Sequence, residues 1–389
     1  MADRTSYQRD SGIVVRTVSA IVFLAFTFLW LYFFQADVLA YAQHVFSGGQ
    51  THYNRLVGTV LITVILWLLF FGVYMLVRLS NRFHALSYFP SLAVLALLGA
   101  ICPSADTGPS LSLWWLLLLP LLVVWTFTVW AARQISRFDN PKHQSFFSRT
   151  MWSNMLIMVV MIVGVVAVSD TNAVFHHRAR VETCLMENRF DDALLVGQRS
   201  LESDPSLMML RSYALSRCGQ LGERLFEYPV AGTGADLVPA VGGTSEGTCF
   251  LRYPSDSLYR HLGAIPRPGM DTSTYLSRME RYGQATPAVA DYVLCGLLID
   301  RDLDAFAKAL PRYYEVADSM PLPRHYREAL TLYTHLRSRP VLVYHDAVTD
   351  EDYDNLQELE AQYSDFRERH IRVKEKYQGS YWYYYEYMK

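Results

Sequence analysis

Hydrophobic positions along this chain are arranged in two ways. Up to about residue 169 they form unbroken runs at 14–34, 56–77, 87–102, 111–132 and 151–169. A helix of about 20 apolar residues crosses the hydrocarbon core of a bilayer, so four of these runs qualify on length. The third is shorter, and it is read as a span because its flanking loops otherwise fall on the wrong sides. Beyond Asp170 the apolar residues become stripes. Leu207, Leu210, Ala214, Cys218 and Leu221 share one helix face, as do Leu322, Tyr326, Ala329, Leu330, Tyr333 and Leu336. The pattern predicts an all-α chain: a polar segment 1–12, disordered or lying on the cytoplasmic surface, a five-helix transmembrane bundle over 13–169, and a helical-repeat domain over 170–389.

The stretch Arg178 to Pro205 reads as two short antiparallel helices. Its latter part, with Phe190, Ala193, Ser200, Leu201 and Pro205, looks like the end of a tetratricopeptide repeat (TPR), with an aromatic at the turn, small residues at the helix contact and a closing proline. Asp204-Pro205 then starts the first helix of a second repeat, whose partner is the degenerate GERLFEY. Residues 229–254 are rich in Gly and Pro without a sustained period and are predicted to be an irregular insertion. Helices are expected again at 255–262, 272–282, 287–299 and 302–316, with Pro311 kinking or ending the last. The result is an irregular TPR-like α-solenoid. Leu356, Leu359, Tyr363, Phe366, His370, Val373 and Tyr377 step by three and four, which predicts one long helix over 350–378, either a dimer seam or a cap on the solenoid. The closing YWYYYEYMK has six aromatics in seven residues, too many to bury in a terminus; they are expected to pack on the solenoid or dip into the bilayer interface.

Charge sets the topology. Residues 1–169 carry ten Lys/Arg and five Asp/Glu, and the remainder carries 25 and 32. Basic residues gather before span one, after span two and between spans four and five, while the loop after span one has only Arg55 and CPSADTGPS has none. The positive-inside bias predicts a multi-pass inner (plasma) membrane protein with a cytoplasmic N-terminus and an extracytoplasmic, periplasmic C-terminal domain. The first run is too long for a cleavable signal. No Asp, Glu, Lys or Arg lies in the middle of a span, which argues against an ion-coupled transporter. Pro120 is the expected kink of span four. The loop 35–55, which also reads as an interfacial helix ended by Gly48-Gly49, exposes Asp37, Gln43, Thr51 and Tyr53; these are the candidate partner contacts, the alternative being an amphipathic turn resting on the membrane.

Candidate chemistry changes little. Cys184, Cys218, Cys249 and Cys295 allow two disulfides in an oxidising compartment, although the helix spacing expected for the 34-residue interval Cys184–Cys218 favours thiols. The histidines have no metal-ligand spacing. TDEDYDN at 349–355 lacks the glycine and glutamate of a calcium loop and reads as a helix start with Thr349 as N-cap. Gly232, Gly234, Gly242 and Gly243 precede no lysine and follow no strand, so they do not form a phosphate loop. No catalytic motif, metal or cofactor is indicated. Basic residues are dispersed in an acidic domain, which disfavours nucleic acid.

Four stretches, DVLAYAQHVFSGGQTHY (37–53), Arg189 to Arg199, LPRHYREALTLY (322–333) and the aromatic end, resemble a family of uncharacterised bacterial multispanning membrane proteins with a TPR-like extracytoplasmic domain. The resemblance implies an envelope location and no activity. The leading expectation is a non-catalytic scaffold, embedded in membrane lipid, that binds another envelope protein. The alternative is a membrane subunit of an envelope lipid or polysaccharide export or transferase system. A polar row in the bundle would favour the alternative; a uniformly apolar bundle would favour the scaffold.

Overall fold

The computed structural model describes residues 2–104, 108–111, 116–136, 149–170, 172–239, 248–267, 269–317 and 321–388. It divides into two compact units, Met1–Asn172 and Ala173–Lys389. Apart from one short hairpin, the described residues of both are built from helices.

In the first unit α1 (Ala2–Leu29) passes through a π-helical stretch, Trp30–Gln35, into α2 (Ala36–Phe46). There follow α3 (Arg55–Val77), a 3-10 stretch Asn81–Tyr88 running into α4 (Phe89–Gly99), an antiparallel hairpin of β1 (Ile101–Ser104) and β2 (Gly108–Leu111), then α5 (Leu118–Ser136) and α6 (Arg149–Val168). Among the described residues five helical stretches are long and apolar enough to cross a membrane: Ile13–Phe46, Arg55–Val77, Asn81–Gly99, Leu118–Ile135 and Arg149–Val168. Phe23, Leu66, Phe70, Tyr88, Leu92 and Met158 are buried between them, with Phe70 and Tyr88 stacked at 3.9 Å between ring centroids. Leu61, Leu68, Val123, Phe127, Val160 and Val163 face outward, as a lipid-facing surface requires.

Several expected boundaries move, each for a local reason. Residues 1–12 were expected to be disordered or to lie on the cytoplasmic surface; α1 begins at Ala2, which removes the first alternative. The first helix does not stop at residue 34. Arg55 donates to the Tyr32 carbonyl at 2.6 Å and its guanidinium lies 4.6 Å from the Tyr32 ring centroid, holding the π turn through which the helix runs on into the expected loop. The third span begins at Asn81 because Asn154 serves its 3-10 backbone. The Asn154 Oδ1 accepts from Ala85 N at 2.8 Å, and Nδ2 donates to the Asn81 and Arg82 carbonyls at 2.9 and 3.2 Å. Where the fourth was expected to begin, residues 108–111 are strand; residues 112–115 lie outside the described residues, and α5 runs from Leu118. Pro120 therefore sits in the first turn of α5, where its missing N–H disrupts nothing, and not at a mid-span kink. At the other end of α3, Arg133 donates to the terminal carbonyls of Leu76 and Val77 at 2.7 to 3.0 Å, replacing partners that a helix end lacks. Of the basic segment expected between spans four and five, residues 137–148 lie outside the described residues.

The second unit runs α7 (Ala173–Met186), α8 (Phe190–Leu195), α9 (Pro205–Arg217), α10 (Leu221–Arg224), α11 (Ser255–Leu262), α12 (Thr272–Arg281), α13 (Ala288–Ile299), α14 (Leu303–Ala309), α15 (Arg324–Leu336), α16 (Ala347–Gln362), α17 (Phe366–Tyr377) and α18 (Tyr381–Tyr387). Starts are set by side chains. Asp204, Asp271, Asp302, Asp346, Asp365 and Ser380 each accept a backbone N–H of the first turn. Stops repeat one construction. After α7, α9, α12 and α13 a residue with positive φ (Asn188 56°, Gly219 69°, Gly283 64°, Arg301 58°) closes the helix. The following N–H in each case bonds back five residues, Arg189 to Cys184, Gln220 to Leu215, Gln284 to Met279 and Asp302 to Leu297, at 2.8 to 3.0 Å.

Two expectations about the end of the chain are corrected. The single helix over 350–378 is two, because Tyr363 takes up an extended conformation and Asp365 caps a new start. Thr349 is not the N-cap; Asp346 is, and it accepts from Thr349 N at 3.2 Å. Of the six terminal aromatics, Tyr381, Trp382, Tyr383 and Tyr384 are buried in the core of the unit and Tyr385 and Tyr387 pack partly exposed against it, the first of the two expected placements. Pro311 ends α14 in a 3-10 turn, Leu310–Arg312.

Candidate functional site

The four candidate contact residues fall at the junction of α2 and α3, in two groups. Gln43, on the last turns of α2, donates through Nε2 to the Thr51 hydroxyl at 2.9 Å. Asp37, in the first turn of α2, lies at the level of Tyr53. Burial raises the Tyr53 phenol above its usual range, with Thr59 and Arg55 opposing and Asp37 adding to the rise. The Tyr53 ring covers Gly58 so closely that a Cβ there would stand 2.4 Å from it. Asp37 and Gln43 are six steps apart on α2, about 9 Å along the axis, so the structure brings Gln43 to Thr51 and Asp37 towards Tyr53 and does not gather all four. Gln43 and Tyr53 are half-buried and Thr51 is exposed. The chemistry available is hydrogen bonding at a helix corner.

The second unit holds polar groups that sequence reasoning did not single out. Glu182 on α7 is fully buried, and its carboxylate accepts the N–H groups of Leu251, Arg252 and Tyr253 at 2.6, 2.7 and 2.9 Å. Burial outweighs these bonds and raises its pKa. The signal was present: Glu182 occupies a place in the apolar stripe Phe175, Ala179, Glu182, Leu185. Its effect is to pin the end of the Gly-rich segment to α7. The segment is tied at its other side too. Gly234 donates to Asp300 Oδ1 at 2.8 Å, and a Cβ on it would meet the Gly296 carbonyl at 2.5 Å, so Gly234 is a packing glycine. Residues 240–247 of the expected insertion lie outside the described residues.

A second brace centres on α15. His325, wholly buried, accepts from Phe226 N through Nε2 at 3.3 Å and meets Glu328 Oε2 through Nδ1 at 2.9 Å. Glu328 also takes Arg324 Nε at 2.8 Å and Tyr381 N at 2.7 Å, and its carbonyl takes Trp382 Nε1 at 2.7 Å. Burial would raise the Glu328 carboxyl, but His325 and Arg324 outweigh it and hold the group below its usual range. The neighbouring Asp291 Oδ1 accepts the hydroxyls of Tyr314 and Tyr326 at 2.7 and 2.8 Å.

Between the turn after α7 and the end of α9 lies a surface depression lined by Arg189, Phe190, Asp191, Asp192, Arg217 and Cys218. Its charges pair with each other: Arg189 bonds Asp192 at 2.7 Å and also Glu187, and Arg217 stacks on Phe190 at 4.4 Å. Burial, then Asp191, pushes the Cys218 thiol up, the wrong direction for a nucleophile. No disulfide joins the cysteines; Cys184 and Cys295 are buried and Cys249 is exposed. Among the described residues no group of His, Cys, Asp and Glu is placed to hold a metal ion.

Comparison with protein families finds a domain of the family of unknown function DUF6057 at residues 270–388, as the resemblance to an uncharacterised family implied. Comparisons with curated proteins and with solved structures find no match. The matched segment runs from just before α12 to α18, yet its braces reach outside it, to Phe226 through His325 and to Gly234 through Asp300. The packed unit, Ala173–Lys389, is larger than the match.

Proposed function

We propose that this chain is a membrane-anchored scaffold whose helical second unit binds another protein of the bacterial envelope. The observation that carries this reading is the use made of buried ionisable groups. Glu182, Glu328 and His325 are each bound by fixed backbone or side-chain partners inside the unit. Such groups hold helices in register and offer no acid, base or nucleophile to a substrate. The repeated turn after α7, α9, α12 and α13 supports an irregular TPR-like stack, an architecture that presents extended binding surfaces. The scarcity of basic residues in the loop after span one, which has only Arg55, and their absence from CPSADTGPS support a cytoplasmic N-terminus and a periplasmic second unit. Residues 169–172 are all that separates α6 from α7, which favours a partner in the same membrane. In vivo crosslinking followed by mass spectrometry tests the reading: a reproducible protein neighbour is expected, and recovery of none counts against it.

One observation favours the second reading, a membrane subunit of a lipid or polysaccharide export or transferase system. Ser19, Thr27 and Gln35 on the first span and Ser87 and Tyr88 on the third are buried within the first unit, and their side chains carry polar atoms with no hydrogen-bond partner. Thr63 and Ser169, by contrast, bond back to their own helix at 2.7 Å. A photo-crosslinking residue in place of Phe23 captures a lipid or glycan chain under this reading, and only this chain's own helices under the first.

A further inference from the structure

The second unit contains one buried cation whose partners are incomplete. Arg211 on α9 is the largest of the fully buried side chains, 1% exposed. Its Nη2 donates to the carbonyls of Val196 and Gly197 at 3.3 and 3.2 Å, and the guanidinium lies 5.3 Å from the Tyr228 ring centroid. Its Nε and Nη1 are buried and have no hydrogen-bond partner. The acid whose charge reaches it, Asp204, is committed elsewhere: Oδ2 to Arg178 at 3.1 Å and Oδ1 to Leu207 N at 2.6 Å.

Across Gly197 stands a second such donor or acceptor. The His177 ring lies 2.7 Å from where a Cβ on Gly197 would be, and its Nδ1 is also buried without a partner. Burial first, and the Arg211 charge second, hold His177 below its ordinary range. Gly197 has φ of 60°, so glycine here both makes the turn and lets the His177 ring pack directly against the backbone whose carbonyls Arg211 bonds. An ionised group taken out of water without a counter-charge is costly, and the Tyr228 face offsets only part of that.

We propose that Arg211, with His177 beside it, forms a site for an anionic oxygen ligand, a phosphate or a carboxylate, beneath the turn 196–200. The site is one residue layer deep, since Gly197 and His177 are themselves only half-buried. A free oxyanion and an acidic side chain of a bound protein present the same chemistry to it.

The test uses the full chain in detergent at low salt, with melting of the second unit and hydrogen exchange over 196–200 as readouts. Inorganic phosphate is titrated in one arm and acetyl-triglutamate in the other, with chloride at matched ionic strength as the control. A ligand that binds only the folded state raises the melting temperature by about 3 to 6 °C at ten times its dissociation constant. A saturable shift with phosphate alone identifies a free anion, and one with the peptide alone a partner carboxylate. Arg211→Met abolishes either shift and, with no ligand present, melts no lower than wild type, because it removes an unpaired buried charge. If Arg211→Met does not fold, Arg211→Lys and the wild-type titrations decide. Wild type that responds to neither probe beyond the chloride control overturns the proposal.

Discussion

At the scale of single residues, the second unit is defined by polar side chains in apolar places. His261 on α11 is an example with a measurable consequence. It meets the Ser216 hydroxyl through Nε2 at 2.8 Å; burial first, and the Arg217 charge second, lower its pKa to about 4. An unfolded histidine titrates near 6.5, so between about 6.5 and 4 the unfolded chain takes up a proton that the folded one refuses. Stability from this residue is complete above about 6.5 and declines as pH falls towards 4. Hydrogen exchange over α11, corrected for intrinsic rates and measured at pH 7 and 5, is expected to show more opening at pH 5, and His261→Gln should remove most of that difference. An unchanged difference in the variant would assign the pH response to other groups.

At the scale of elements, the closing helix α18 acts as the keystone of its unit. Trp382 is 3% exposed and bonds the Glu328 carbonyl, and Tyr384 donates to the Ile299 carbonyl at 2.7 Å. Arg301 completes the link: held at positive φ, it lies 4.8 Å from the Tyr384 ring centroid and donates to the Tyr384 carbonyl at 3.3 Å. Trp382→Ala is expected to cost about 3 to 5 kcal/mol, read as a lower denaturation midpoint and as protease cleavage in α15 and α18. A variant as resistant as wild type would show that α18 is peripheral. What the sequence disclosed divides along the same line. The bounds of α11, α12, α13 and α15 were legible to within a few residues because cap, stripe and stop lie side by side in the chain. The break at Tyr363 was not, since apolar steps of three and four run straight through it and only Asp365 marks the new start. The burial of α18 was not legible either, because its partners Glu328 and Ile299 are distant in sequence. For the same reason the helix that holds Asp37 and Gln43, legible as an interfacial helix ended by Gly48-Gly49, was not legible as a continuation of the first span: the Arg55 bond that carries the helix past residue 34 is made by a side chain 23 positions from its acceptor.

At the scale of the whole molecule, an apolar first unit and an ordinary water-facing second one are joined by residues 169–172. Cys249 offers a direct check on which side of the membrane the second unit lies, because it is exposed there while Cys184 and Cys295 are buried. A membrane-impermeant maleimide applied to intact spheroplasts is expected to label Cys249 and to lose that labelling in Cys249→Ser. Labelling that requires lysed cells would place the second unit inside and reverse the proposed topology.

The bond from Tyr381 N to Glu328 also sets an order of events in time. Glu328 leaves the ribosome 53 residues before Tyr381, an interval of about 3 to 10 s at ordinary rates of synthesis. Throughout it, His325 and Glu328 have each other and Phe226 but lack the helix that seals them from water. A repeat array can ripen hairpin by hairpin as it emerges; this unit has a latch near its end, and until α18 arrives the carboxylate of Glu328 remains wet. The shell around Glu328 is therefore completed only once α18 has been made and has supplied the Tyr381 N–H and the Trp382 indole.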